Sequence, residues 1–265
     1  MDNTRLSTVC RLMSGWGRCM EKTMEQQDRI TEAAKKNYEA STPWPENDPW
    51  HTQTFTAIKK VVEEWLSEYS STDIQILNAG SGGTEYETQG EFFHLDIVER
   101  HISQFKNHLV GSVENIALPD SSMDGVICVG SVINYTDAQR AIAEFSRVLK
   151  AGGFLILEYE RSDSAEFLWT PQHSKYVFPQ SYQYNGQTHL LWMYSERHMR
   201  QMLEHYQFVI RDQKRLHSLS SLLYRMGVPE ERAACYARFD KLFQPFSRSI
   251  AHNQILLAVK EFVAN

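Results

Sequence analysis

Cysteine is scarce in this chain and unpatterned. The four present, Cys10, Cys19, Cys128 and Cys235, form neither a close pair nor a regular framework, so no zinc knuckle and no disulfide scaffold can be read from them. No metal is expected. Basic charge is also in short supply: 27 Lys and Arg stand against 33 Asp and Glu, a net charge of −6. A dedicated DNA surface needs the opposite balance. No apolar run is long enough to span a bilayer, and Ser14-Gly15-Trp16-Gly17-Arg18 interrupts the amino-terminal stretch where a signal peptide would need its apolar centre. There is no internal repeat and no low-complexity tract. With 42% apolar and 23% charged residues, the remainder has the composition of a folded, cytoplasmic globular protein. Its 265 residues suit one large α/β domain, alone or with a modest appended lid.

Residues 1 to 40 interleave charge with apolar side chains, as amphipathic helices do. Three prolines between Thr42 and Trp50 predict a loop. Thr54 to Tyr69 reads as a helix with Phe55, Ile58, Val61, Val62, Trp65 and Leu66 on one face. Strand and helix then alternate, the pattern of a parallel sheet with right-handed crossovers. Strands are placed near Ile74–Asn78, Glu91–Asp96, His108–Gly111, Gly125–Val129 and Gly153–Tyr159. A helix runs from Asp137 to Leu149 and stops before Gly152-Gly153. Beyond Tyr159 the pattern changes. Tyr176–Tyr184 and Gln187–Tyr194 flank Asn185-Gly186, a strong hairpin signal. A helix follows from Ser195, and Phe208–Leu216 and Gln254–Phe262 form a final strand pair. Between that pair lies a helical insertion, Ser218–Met226 and Pro229–Ser247, with Pro229 suited to a first helical turn.

The densest signal is Ile76-Leu77-Asn78-Ala79-Gly80-Ser81-Gly82-Gly83-Thr84. A short apolar strand runs into a glycine turn, which lets backbone N–H groups approach a ligand, and a helix is expected next with its positive end toward the site. His94-Leu95-Asp96-Ile97 ends the following strand on a carboxylate able to accept both hydroxyls of a ribose. A dinucleotide fingerprint would need a third glycine where this chain has Glu85. That glutamate would crowd the helix–strand packing and oppose a pyrophosphate. It is harmless to a ligand without phosphates.

Gly111-Ser112-Val113-Glu114, Pro119 to Cys128 and Arg147 to Glu158 complete the set. In that order and spacing it resembles the class I S-adenosylmethionine-dependent methyltransferases, particularly their small-molecule branch, over residues 74 to 160. The resemblance implies a Rossmann-like, mostly parallel seven-stranded α/β sheet. It also implies a helical lid (1–70) ahead of a cofactor-binding core (71–265), with a hairpin inserted at 161–194 and helices at 217–250. The implied cofactor is S-adenosylmethionine. Ala79, Gly80, Ser81 and Gly82 would pass under its methionine portion, and Asp96, with Ile97 beside it, would hold the ribose. Ser112 and Val113 would flank the adenine. Val129 and Gly130 would line the methyl-transfer face, and Tyr38 would reach the cofactor tail from the lid. Asn78 stands where the family usually has an acid, and an asparagine carbonyl can still accept one hydrogen bond from the cofactor's ammonium.

Methyl transfer from a sulfonium is an in-line displacement, so the protein mainly aligns the reactants in a water-poor site, with a base where the nucleophile carries a proton. Tyr135, His189 and Glu158 are the candidates for that work. Glu158 and Glu160 project to the same side of their strand. Tyr38, Trp50 and the hairpin face bearing Tyr182, Tyr184 and Trp192 are expected to enclose the acceptor with Gly130–Tyr135. Trp44 and His51 extend the prospective lid. The expected activity is methylation of O or N on a small molecule. A tRNA or protein methyltransferase docking through the basic residues of 211–248, or a non-catalytic partner subunit, are the alternatives. The oligomeric state is not legible.

Overall fold

The computed structural model describes residues 26–40, 48–69, 73–88, 90–184, 187–240 and 247–262. Trp44, Cys10, Cys19 and the Asn185-Gly186 turn fall outside them, as does the side chain of Tyr184. Helix α1 (26–40) is followed by α2 (Pro49–Leu66), which begins earlier than the proline content predicts. Asp48 caps it, accepting from the His51 N–H at 3.0 Å, and Pro49 occupies the first turn, where its missing N–H costs nothing. Trp50 and His51 therefore sit on a helix end, not on a loop.

Seven strands form one sheet: β1 (Gln75–Ala79), β2 (Glu91–Asp96), β3 (His108–Val110), β4 (Met123–Cys128), β5 (Leu149–Glu160), β8 (Phe208–Leu216) and β9 (Asn253–Lys260). Their order is β3-β2-β1-β4-β5-β9-β8. All neighbours run parallel except β9, which is antiparallel to both β5 and β8. The strand order reverses between β1 and β4, the place where a doubly wound sheet opens a crevice. One face of the sheet is covered by α2 through Ile58, Val62, Trp65 and Leu66 against Ile76, Ile127, Ile156 and Ile255. Trp65 stays satisfied there because its Nε1–H donates to Asp212 at 3.0 Å. The other face is covered by α4 (Ala138–Val148) and α5 (Glu196–His205). Ala141, Ile142, Phe145 and Val148 of α4 recur at helical spacing and are all fully buried. Each large apolar side chain buried this way contributes about 1.5–3 kcal/mol. A short helix α3 (Glu99–Ile102) joins β2 to β3.

Three expectations need correction. No helix lies among the described residues of the β1–β2 crossover, 80–90. That link is too short for one; it crosses in extended form and plugs Tyr86 into the α2 side of the core. The helix foreseen at Pro229–Ser247 is interrupted within its described part: a five-residue α7 (Glu230–Ala234) is followed by a turn at Cys235–Tyr236 and a 3₁₀ turn at Ala237–Phe239, and 241–246 lie outside the described residues. It follows α6 (Ser218–Arg225) in the same insertion. The hairpin β6 (Val177–Tyr184) and β7 (Gln187–Tyr194) is present, but Trp192 is on its other face. The register sets Tyr182 opposite His189, so even positions of β6 share a face with odd positions of β7. Trp192 lies opposite Pro179 and donates to Gln27 of α1 at 2.7 Å.

Candidate active site

The carboxyl ends of β1, β2, β4 and β5 open into one cavity of about 260 Å³. Its floor is the turn after β1. Gly80 has a φ of +73°, and a Cβ there would stand 2.4 Å from Val132 Cγ2, so both the backbone and the space require glycine. The turn's N–H groups do not reach into the cavity as expected. Gly80 and Ser81 donate to the Leu95 carbonyl at 2.8 and 2.9 Å, and Gly82 donates to Asp96 Oδ2 at 2.7 Å. The turn works through its missing side chains, and its donors tie β1 to β2.

Asp96 ends β2 and lines the cavity. Each of its oxygens accepts one backbone N–H, from Gly82 and from Val98, which fixes the carboxylate and leaves further lone pairs for a ligand. Asn78 spends both amide hydrogens, on Ser81 Oγ (3.3 Å) and the Thr84 carbonyl (2.9 Å), so it can meet a ligand only as an acceptor. Behind it, Ser81 Oγ lies 2.8 Å from Nδ1 of His94. Burial lowers the His94 pKa to about 4, so its ring is neutral. Tyr38, Gly80, Ser81, Gly82, Ile97, Ser112, Val113, Val129 and Gly130 also line the cavity. Ala79 does not: it is fully buried in the core behind the turn.

At the β5 end, Tyr38 donates to Tyr135 at 3.3 Å, and the Tyr135 hydroxyl is 3.1 Å from His189 Nδ1. Burial raises the Tyr38 pKa to about 12, lifts that of Tyr135 well above the ordinary phenol value, and lowers that of His189. The phenols stay protonated and the imidazole neutral at pH 7.

Glu158 is not at the reacting surface. It is fully buried, accepts the N–H groups of Gly130 and Ser131 at 3.0 and 2.7 Å through one oxygen, and takes the Asn253 amide at 2.6 Å on the other. Burial pushes its pKa up to about 7 against those donors. It positions the loop after β4, whose Gly130 and Ser131 both have positive φ. Asn134 is likewise spent on backbone, the Glu160 N–H and carbonyl and the Trp192 carbonyl, and so anchors β7 to β5.

Glu160, two residues on, does line the cavity. His252 stands between it and Glu166, 3.4 Å from the first and 3.0 Å from the second. Burial alone would depress the His252 pKa, but the two carboxylates outweigh it and hold the ring cationic, at about 10. Tyr182 donates to the other oxygen of Glu166. Glu166, His252 and Asn253 escaped the sequence reading. The available signal was the polar run His252-Asn253-Gln254 leading into an otherwise apolar strand, and all three residues are buried. Among the described residues no group of His, Cys, Asp and Glu has a metal-holding arrangement, and no helix is long and apolar enough to cross a membrane.

Residues 79–157 match the family model of a methyltransferase domain. Over that stretch the chain carries a methyltransferase domain, an enzyme domain whose cofactor is S-adenosylmethionine. Among solved structures, it is similar to 1,6-didemethyltoxoflavin-N1-methyltransferase from Burkholderia thailandensis, crystallised with 1,6-didemethyltoxoflavin and S-adenosylhomocysteine. That likeness has 14% identity over 89% of this chain and 90% of that one, with a TM-score of 0.56. The PH0226 protein of Pyrococcus horikoshii gives 14% identity, 85% and 99% coverage, and a TM-score of 0.54. The [4+2]-cyclase SpnF gives 15%, 82% and 86%, and 0.51. At such identities the fold is what is shared, and the last protein shows that this fold is not tied to one reaction. No curated protein sequence gave a significant match.

Proposed function

We propose that this protein transfers the methyl group of S-adenosylmethionine to O or N of a small molecule. The observation that carries this is one continuous cavity. It runs from Asp96 and Gly80 to a roof made by α1 and the hairpin, with Tyr38 and His189 at its walls. The residues at the floor fit the cofactor. Asp96 offers a fixed carboxylate to the ribose hydroxyls, Asn78 offers an acceptor to the ammonium, and the bare Gly80 leaves room for the methionine portion. Ser112 and Val113 would flank the adenine. Bound there, S-adenosylmethionine supplies an electrophilic methyl. The chain's own part is to hold the acceptor near Gly130, exclude water and receive a proton. The acceptor's proton passes to the Tyr38 oxygen. The Tyr38 and Tyr135 hydroxyl protons each move one place along, and the relay ends on Nδ1 of neutral His189.

A macromolecular acceptor has less support. Arg215 is turned into Glu196 at 3.1 Å and Lys214 onto Asp212 at 3.2 Å, which removes two cations from the prospective basic surface. A partner subunit without activity is not favoured by Asn78, because its acceptor oxygen remains available. Thermal melts with S-adenosylhomocysteine test the proposal directly. A ligand that binds only the native state raises the melting temperature, and no rise at about 1 mM ligand, a concentration that would reveal millimolar binding, defeats it.

A further inference from the structure

We propose that the β5 end of the cavity is a subsite for an organic cation, so that the methylated substrate is an amine entering as its ammonium ion. This inference rests on the methyl-transfer reading above. The subsite lies at the end of β5, three strands across from Asp96, or about 14 Å at ordinary sheet spacing.

Charge is the first argument. Glu160, Glu166 and Glu230 line this end, and the cation placed among them, His252, is already shared between Glu160 and Glu166. His51, on the first turn of α2, is paired with Asp48 at 3.2 Å. Carboxylate is therefore in excess in a partly enclosed space, where a cation is attracted and an anion repelled more strongly than in water.

Hydrogen-bonding capacity is the second argument, and it is independent of charge. Asn253 lines the cavity and is 2% exposed. Its Nδ2 is held by Glu158 at 2.6 Å, while its Oδ1 has no hydrogen-bond partner among the described residues. Tyr182 spends its hydroxyl hydrogen on a bond to Glu166. The carboxylates and the Asn253 oxygen thus offer acceptors to this end, which a ligand rich in N–H donors satisfies and an ether, ester or carboxylate does not. The third argument is the wall. Trp50, Tyr182 and Tyr224 line the same end, and aromatic faces attract cations. An ammonium must shed a proton before its nitrogen can attack, and the Tyr38–Tyr135–His189 chain supplies the route.

The test is calorimetry and thermal melts on the full chain with three probes of one shape: benzylammonium, benzyl alcohol and benzoate. Each is titrated with and without saturating S-adenosylhomocysteine, up to about 10 mM, a range that captures weak subsite binding. Benzylammonium is expected to bind and to weaken as salt is added. The alcohol and the acid are expected to fail. Glu166→Gln should weaken benzylammonium about tenfold, and Glu230→Gln, at the mouth and less able to disturb folding, several-fold. Equal or better binding of benzyl alcohol or benzoate overturns the assignment. So does absence of benzylammonium binding to protein that still takes S-adenosylhomocysteine. Failure to bind S-adenosylhomocysteine itself strikes at the underlying methyl-transfer reading, and the titrations without it keep the two outcomes apart.

Discussion

At the scale of single residues, the site depends on groups whose partners fix their chemistry in advance. Asp96 is the plainest case. Two backbone N–H groups hold its carboxylate still, so a ribose bound as proposed would meet an acceptor that loses little freedom. Replacement by alanine would also orphan those N–H groups and confuse a binding defect with a folding one. Asp96→Asn removes the charge and keeps one of the two N–H bonds, orphaning a single donor; it is expected to weaken S-adenosylhomocysteine by about 1.5–3 kcal/mol, roughly tenfold or more, with the melt of the unliganded variant reporting any folding cost separately. Calorimetry reads this directly, and an unchanged affinity would move the ribose contact elsewhere. Asp96 was visible in the sequence because it closes a strand at the right distance from a glycine turn. The true station of Glu158 was not visible. Alternation places Glu158 and Glu160 on one side of β5, but only the fold shows that the loop after β4 covers the first and leaves the second open.

Among elements, local chemistry accounts for most of what the sequence revealed and long-range pairing for most of what it hid. The helix read over Asp137 to Leu149 rests on local spacing and agrees with α4, whose start the Asp137 side chain caps by accepting from the Gln139 and Arg140 N–H groups. The Asn185-Gly186 signal marked a hairpin, yet which side chains share its face depends on register, and that misplaced Trp192. The missing crossover helix has a similar origin, since Gly82 to Thr88 favours an extended path only once Tyr86 has a core to enter. The hairpin's part in the site can be tested as an element. Replacing Gln180–Leu191 with a tight turn removes Tyr182 and His189 together. S-adenosylhomocysteine should then bind within a few-fold of the parent while methyl transfer is lost, because the proposed cofactor contacts lie mainly on β1, β2 and the loops beyond. Loss of cofactor binding in a variant that still folds would place the hairpin in the cofactor site.

For the molecule as a whole, His252 joins three parts of the chain: Glu160 at the end of β5, Glu166 in the first insertion, and its own position at the end of the second. A histidine held at about 10 in the folded state and near 6.5 when unfolded favours folding fully below pH 6.5, and that contribution is lost as pH rises toward 10. The melting temperature is expected to fall between pH 7 and pH 10, and His252→Gln should flatten that decline. Parallel slopes for the two proteins would show that His252 carries no extra proton in the native state. None of this junction was legible beforehand, because its members are distant in sequence and meet only when both insertions fold back over the sheet.

Helix α1 has a kinetic meaning. It is fastened along its length: Trp192 of the hairpin donates to Gln27 at 2.7 Å, Asn37 donates to the Thr188 carbonyl at 2.9 Å, Tyr38 donates to Tyr135 at 3.3 Å, and Arg100 of α3 donates to the Tyr38 carbonyl at 2.8 Å. Thr31, Ala34 and Tyr38 of the same helix face the cavity. On the proposed function, spent cofactor and methylated product would both leave past this helix, and the frequency of its release, rather than the speed of the chemistry behind it, would then be the enzyme's clock.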